Sequence, residues 1–151
     1  MTLRDILHSK GAVVHTIGPD ATLENVVLTL VKHNCGSLVV CAGEVVDRCG
    51  GPAERMVGII TERDILRACA ARRGSLAEMT VAEVMTRDVA TGSPDDSVAD
   101  TMGLMTQRRI RHLPVLEGGQ LVGLISIGDV VKSQHDQLSL ENHYLKSYIQ
   151  G

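Results

Sequence analysis

Phenylalanine and tryptophan are absent from the chain, and Tyr144 and Tyr148 are its only tyrosines. An aromatic platform for stacking bases is therefore excluded, and the core has to be built from Val, Ile, Leu, Met and Ala. No apolar run approaches the roughly 20 residues of a bilayer crossing. The opening Met1-Thr2-Leu3-Arg4-Asp5-Ile6-Leu7-His8 lacks the uninterrupted apolar stretch of about 7–15 residues that marks a secretory signal. These absences predict a cytoplasmic protein with no membrane partner. An excess of positive charge is also missing: 15 Lys and Arg stand against 18 Asp and Glu, a net charge of −3, which argues against a nucleic-acid partner. The basic clusters, Lys10, Arg72-Arg73 and Arg108-Arg109-Arg111, read as solvated helix surface.

The four cysteines, Cys35, Cys41, Cys49 and Cys69, contain no CxxC, and the six histidines follow no metal-ligand spacing, so no metal is expected. Cys35 and Cys69 read as reduced core cysteines, whereas Cys41 and Cys49 bracket a loop and could pair under oxidation. There is no Gly-x-Ser-x-Gly, HExxH, P-loop or GxGxxG, so neither an enzyme nor a Rossmann fold is expected. The acids Glu24 and Asp95-Asp96 sit at predicted helix starts, where they suit the macrodipole.

What is present is a repeat, in 151 residues of ordinary globular composition, 44% hydrophobic and 22% charged. Gly58-Ile59-Ile60-Thr61-Glu62-Arg63-Asp64-Ile65 matches Gly123-Leu124-Ile125-Ser126-Ile127-Gly128-Asp129-Val130 at an offset of 65. Thr16-Ile17-Gly18-Pro19-Asp20 matches Thr91-Gly92-Ser93-Pro94-Asp95 at an offset of 75, as does Ser37-Leu38-Val39-Val40 with His112-Leu113-Pro114-Val115. The difference falls in Cys41–Arg55, fifteen residues against five in Leu116–Gln120, and predicts a longer Gly-rich hairpin loop in the first copy.

Each copy reads as strand, helix, strand, strand, helix. In the first copy these are Val13–Thr16, a helix over about Thr22–His33, Ser37–Cys41, Met56–Ile60 and a helix from Glu62 with Ile65, Leu66, Cys69 and Ala70 inward. The second has a helix carrying Val98, Met102, Leu104 and Met105, strands Leu113–Leu116 and Leu121–Ile125, and a helix from about Gly128. A short helix Leu3–Ser9 precedes the repeats, Thr80–Thr86 links them, and Leu138, Leu140, Leu145 and Ile149 suggest a terminal helix that packs on the body or on a partner chain. The expected division is 1–11, N-terminal helix; 12–73, first repeat with its loop at 41–55; 74–88, linker; 89–134, second repeat; 135–151, C-terminal helix. Repeats of about 60 residues have marginal cores alone, so two are expected to pack face to face through their sheets about a pseudo-two-fold axis, leaving two clefts suited to a small ligand.

The chemistry lies in the repeated Thr/Ser-x-x-Asp at a strand-to-helix junction. One reading is a capping box that satisfies orphan backbone N–H groups. The other is a ligand site, because a helix N-terminus suits an anion and a carboxylate offers two acceptors to a ribose cis-diol.

These motifs, with the two Thr-x-x-Pro-Asp openings and Arg111-His112-Leu113-Pro114-Val115, resemble a tandem pair of CBS domains (a Bateman module) over about Ala12 to Ser133. The whole chain is similar to small stand-alone bacterial CBS-pair proteins. The resemblance implies an α/β (α+β) fold of two β-α-β-β-α repeats and a non-catalytic, energy- or metabolite-sensing role. It also implies a homodimer and an adenosine-containing ligand, AMP, ADP or ATP rather than a catalytic cofactor. Alternatives are NAD, S-adenosylmethionine, or a ligand-free dimerisation scaffold. Carried over residue by residue, Asp64 and Asp129 would hold ribose hydroxyls, and Thr61 and Ser126 would reach ribose or phosphate. Thr16 and Thr91 would contact adenine through nearby backbone, and Arg111 and His112 would approach phosphate. The first copy has Gly36-Ser37 where the second has Arg111-His112, so Ser37 is the weaker counterpart and the Asp129 site the expected phosphate binder. Binding would fix the angle between the repeats, and the terminal helix would report it to a partner. Met102, Met105, Leu66 and Cys69 read as core before they read as dimer contacts.

Overall fold

The computed structural model describes residues 1–11, 13–46, 52–71 and 74–150, with the side chains of 44–46 and 52–54 left out. The expected Cys41–Cys49 pairing and the Arg72-Arg73 patch fall outside the described residues. The chain forms two units: Val13–Ala90 with Gly118–Leu121, and Met1–Ala12 with Thr91–Glu117 and Val122–Gly151.

In the first of these, β1 (Thr16–Ile17) runs parallel to β2 (Ser37–Val46), which pairs antiparallel with β3 (Pro52–Thr61) in the order β1-β2-β3. Leu38, Val39 and Val40 are all fully buried, as a strand covered on both faces requires. Helix α2 (Leu23–His33) starts where the Thr22 hydroxyl accepts the Asn25 N–H and stops at Asn34 in the left-handed region, φ 50°. It buries Leu23, Val26 and Leu30 against Leu38, Val40 and Ile60. Helix α3 (Glu62–Ala71) follows β3 directly, and α4 is the single turn Val81–Val84.

Three local expectations change. The first strand is Thr16–Ile17 rather than Val13–Thr16, and Val13 is exposed. The Cys41–Arg55 insertion is mostly strand: β2 and β3 stay paired out to Val46↔Pro52, past register shifts between Val40 and Cys41 and between Ala42 and Glu44, the second at Gly43, whose φ of +72° suits a bulge. Along α3 the buried positions are Asp64, Ile65 and Ala68, while Leu66, Cys69 and Ala70 face solvent. Starting the helix directly at the end of the strand turns its 3.6-residue stripe by one position.

The second unit repeats these devices at the offset of 75. The Ser97 hydroxyl accepts the Asp100 N–H to open α5 (Val98–Arg108), which closes at Arg109 with φ 55°. Gly92 bridges Val115 in parallel where Ile17 bridges Val40, so the first strand of this copy shrinks to one bridge. Strands β4 (His112–Glu117) and β5 (Gln120–Ser126) form a hairpin. Leu113, Val115, Ile125, Val98, Met105 and Val130 are buried; Met102 is half-buried. The last helix and the terminal helix are one element, α6 (Ile127–Gln150), because no Pro or Gly falls between Gly128 and Gly151.

Each unit is completed by the segment that precedes the other repeat in the chain. Helix α1 (Leu3–Lys10) opens with Thr2, whose N–H donates to Asp5 Oδ2 at 2.9 Å, and Thr2 bridges Ser97. Helix α4 opens with Thr80, whose N–H donates to Glu83, and Thr80 bridges Thr22. Leu3 and Val81 at the matching positions are both fully buried. The two motif glycines make room for these segments. A Cβ on Gly58 would lie 2.8 Å from the Thr86 carbonyl oxygen, and one on Gly123 would overlap the Leu7 side chain.

Candidate functional site at two strand-to-helix junctions

Both Thr/Ser-x-x-Asp motifs fold as capping boxes. At the first junction Asp64 Oδ2 accepts the Thr61 N–H at 3.0 Å and the Thr61 hydroxyl at 3.2 Å, and Asp64 N–H points back to Thr61 Oγ1. At the second, Asp129 Oδ2 accepts the Ser126 N–H at 2.8 Å, and Asp129 N–H donates to Ser126 Oγ at 3.2 Å. The junctions also share the backbone bonds Glu62 N–H to Gly36 O and Ile127 N–H to Arg111 O. These place Ser37 and His112, and the chain around them, beside their motifs.

The junctions differ in what completes each carboxylate. Asp64 Oδ1 accepts the hydroxyl of Thr86 at 3.1 Å, so both of its oxygens are engaged, and the residue is only 7% exposed. Asp129 is instead met by the Lys10 ammonium at 2.6 Å, which also donates to the Leu124 carbonyl at 2.8 Å. The Asp129 side chain is 24% exposed, and the bonds from Lys10 and from the Ser126 N–H both fall on Oδ2. Partial burial pushes the Asp129 carboxyl up, but the Lys10 ammonium and the Ser126 N–H outweigh it and hold it below the ordinary carboxylate value.

Asp129 also lines a groove of about 210 Å³ between α1 and α6, with Met1, Asp5, Ile6, Ser9, Lys10, Lys132, Ser133 and Asp136. Of the residues expected to bind ligand, Asp129 alone lines it. Ser126 is joined to Asp129 through the cap, whereas Thr91 and Arg111 lie exposed outside the groove and His112 half-buried in β4. Thr16 is exposed at β1. Ser37 is buried opposite Thr61, and its hydroxyl has no hydrogen-bond partner.

Lys10 and Thr86, the residues that distinguish the junctions, are not part of the Thr/Ser-x-x-Asp pattern. Their signal is the likeness of Thr2-Leu3-Arg4-Asp5-Ile6-Leu7 to Thr80-Val81-Ala82-Glu83-Val84-Met85, which marks α1 and α4 as equivalent elements. Among the described residues no group of three or more His, Cys, Asp or Glu could hold a metal ion, and no helix is long and apolar enough to cross a membrane.

The CBS-domain family profile matches residues 3–71 and 81–136. The chain belongs to the CBS-domain family. Each match takes in one copy of the repeat together with the segment before it, which makes the chain an α/β tandem CBS module. A relative in Arabidopsis thaliana, the mitochondrial CBS domain-containing protein CBSX3, is 35% identical over 99% of this chain and 72% of its own. The solved CBS-domain structure of NE2398 superposes with a TM-score of 0.79 at 37% identity, covering 89% of this chain and 97% of that one. The CBS domain pair of MJ0100, solved with 5'-methylthioadenosine and S-adenosyl-L-methionine, superposes with a TM-score of 0.72 at 27% identity over 91% and 98% of the two chains.

Proposed function

We propose that this CBS pair is a non-catalytic metabolite sensor that binds an adenosine-containing ligand at the Asp129 junction, with AMP, ADP or ATP preferred. The observation that carries the reading is the contrast between two otherwise matching capping boxes. Asp64 is closed by Thr86, while Asp129 keeps Oδ1 open beside an ammonium. A ribose diol needs acceptors and a phosphate needs a cation; Lys10 supplies that charge at the Asp129 junction, with Arg111 just before β4. The solved complex of the MJ0100 pair with two adenosine compounds supports the ligand class. The Asp64 junction then acts as structure, a scaffold role favoured by its saturated carboxylate.

Regulation follows from where Asp129 sits, in the first turn of α6. A ligand held there adds contacts to the start of a 24-residue helix, and shifts its equilibria by as much as it prefers one state over another. A thermal-shift panel of AMP, ADP, ATP, NAD and S-adenosylmethionine tests the proposal. A ligand at about one hundred times its Kd stabilises by about 2.7 kcal/mol, or roughly 5–10 °C at this chain length. An adenine nucleotide should give the largest shift, and Lys10→Met should reduce it more for ATP than for adenosine. No shift with any of the five compounds would leave only the scaffold.

A further inference from the structure

The groove between α1 and α6 touches the Asp129 junction only at one end. Both helices belong to the same unit; Lys10 meets Asp129 at that end, and Met1 meets Ser133 further along α6. Asp129, Lys132, Ser133 and Asp136 follow one another at steps of three, one and three, so α6 turns a single face to the groove over about 10 Å. Ile6, buried, and Met1 give the groove an apolar lining.

The charges along it are not equally spent. Lys10 and Asp129 neutralise each other. Beyond them, the Lys132 ammonium and the Ser9 hydroxyl have no hydrogen bond or ion pair among the described residues. Asp5 uses Oδ2 on Thr2, which leaves Oδ1 open, and the one partner of Asp136 among the described residues is the His135 ring at 3.9 Å. One unpaired ammonium and two carboxylates therefore border an apolar surface. A bare anion meets a net negative charge there, and a bare cation meets Lys132. A molecule that carries both charges satisfies each. The volume of about 210 Å³ equals about seven waters at ~30 Å³ each, or about ten bonded non-hydrogen atoms, well short of a nucleotide.

We propose that the α1–α6 groove binds a free α-amino acid with an aliphatic or thioether side chain, the size of leucine or methionine. Its carboxylate meets Lys132 and the Ser9 hydroxyl, its ammonium meets Asp5 and Asp136, and its side chain covers Ile6 and Met1. The site shares only Asp129 with the nucleotide junction, and its occupancy does not depend on a nucleotide being sensed.

An NMR titration of the isotope-labelled full chain with L-leucine, without nucleotide, tests this. One saturable site should appear, its shifts centred on the amides of Ser9, Lys132 and Ser133. Isoamylamine and isocaproate keep the side chain but only one charge each, and should bind about tenfold more weakly or worse. Leucine should lose a similar factor in Lys132→Met and in Asp136→Asn, two exposed positions where the fold is kept. Lys146→Met, outside the groove, should bind leucine as the wild type does. No saturable shift with leucine or methionine, shifts centred elsewhere, equal binding of leucine and either single-charge analogue, or unchanged affinity in Lys132→Met would overturn the inference.

Discussion

Replacing Asp64 by alanine should separate the two junctions most cleanly. The substitution deletes a helix cap, worth about 0.5–2 kcal/mol. It also strands the part-buried Thr61 N–H at a position where Asp64 is 7% exposed, whereas the hydroxyl of the exposed Thr86 can turn to water. Leaving a buried donor without its acceptor costs about 1–3 kcal/mol. Allowing for overlap between these effects, Asp64→Ala should lose about 2–4 kcal/mol, a fall in Tm of roughly 5–15 °C at this chain length. Asp129→Ala loses the equivalent cap and an ion pair whose partners are 24% and 35% exposed. Water reaches that site and exposed pairs contribute about 0–1 kcal/mol, so the cost should be near 1 kcal/mol and a few degrees. Differential scanning calorimetry of both variants without ligand reads the difference directly. Equal losses, or a larger loss for Asp129→Ala, would refute the view that Asp64 is structural and Asp129 is poised for ligand.

Further consequences can be checked separately. Ser37→Ala removes a buried hydroxyl that has no partner, so its Tm should match or exceed that of the wild type; a fall of several degrees would mean the hydroxyl is engaged. Gly58→Ala pushes a Cβ against the Thr86 carbonyl and should cost about 1–3 kcal/mol, whereas Gly123→Ala meets only the flexible Leu7 side chain and should cost less, as denaturant midpoints will report. The depressed Asp129 carboxyl adds stability that is complete above its unfolded value, near 3.8, and is lost as pH falls through the lower folded value; Lys10→Met should flatten this acid limb of the stability curve. His33 is held below its ordinary 6.5 by lost hydration, then by repulsion from the stacked His15 ring at 3.8 Å and from Lys32, so His15→Ala should raise its midpoint in an NMR titration.

The repeat was readable from the sequence because its devices are local: the caps Thr22 and Ser97, the left-handed stops Asn34 and Arg109, and the two Asp boxes all recur in register. The buried stripe of α3 was misplaced because periodicity sets the spacing of buried positions but not the phase, which depends on how the helix leaves β3. Lys10 and Thr86 escaped for a different reason. They reach the carboxylates through the chain's crossing, in which the segment before one repeat completes the other, and a motif confined to eight residues carries no trace of that. Leu138, Leu140, Leu145 and Ile149 were visible as an apolar series at the C-terminal end, but only the structure shows each of them more than half exposed.

Isothermal titration of AMP into the full chain and into Asp64→Asn and Asp129→Asn tests the central claim most directly. One nucleotide per chain, with affinity retained in Asp64→Asn and lost in Asp129→Asn, is the predicted result; two equivalent sites, or a loss confined to Asp64→Asn, would contradict it.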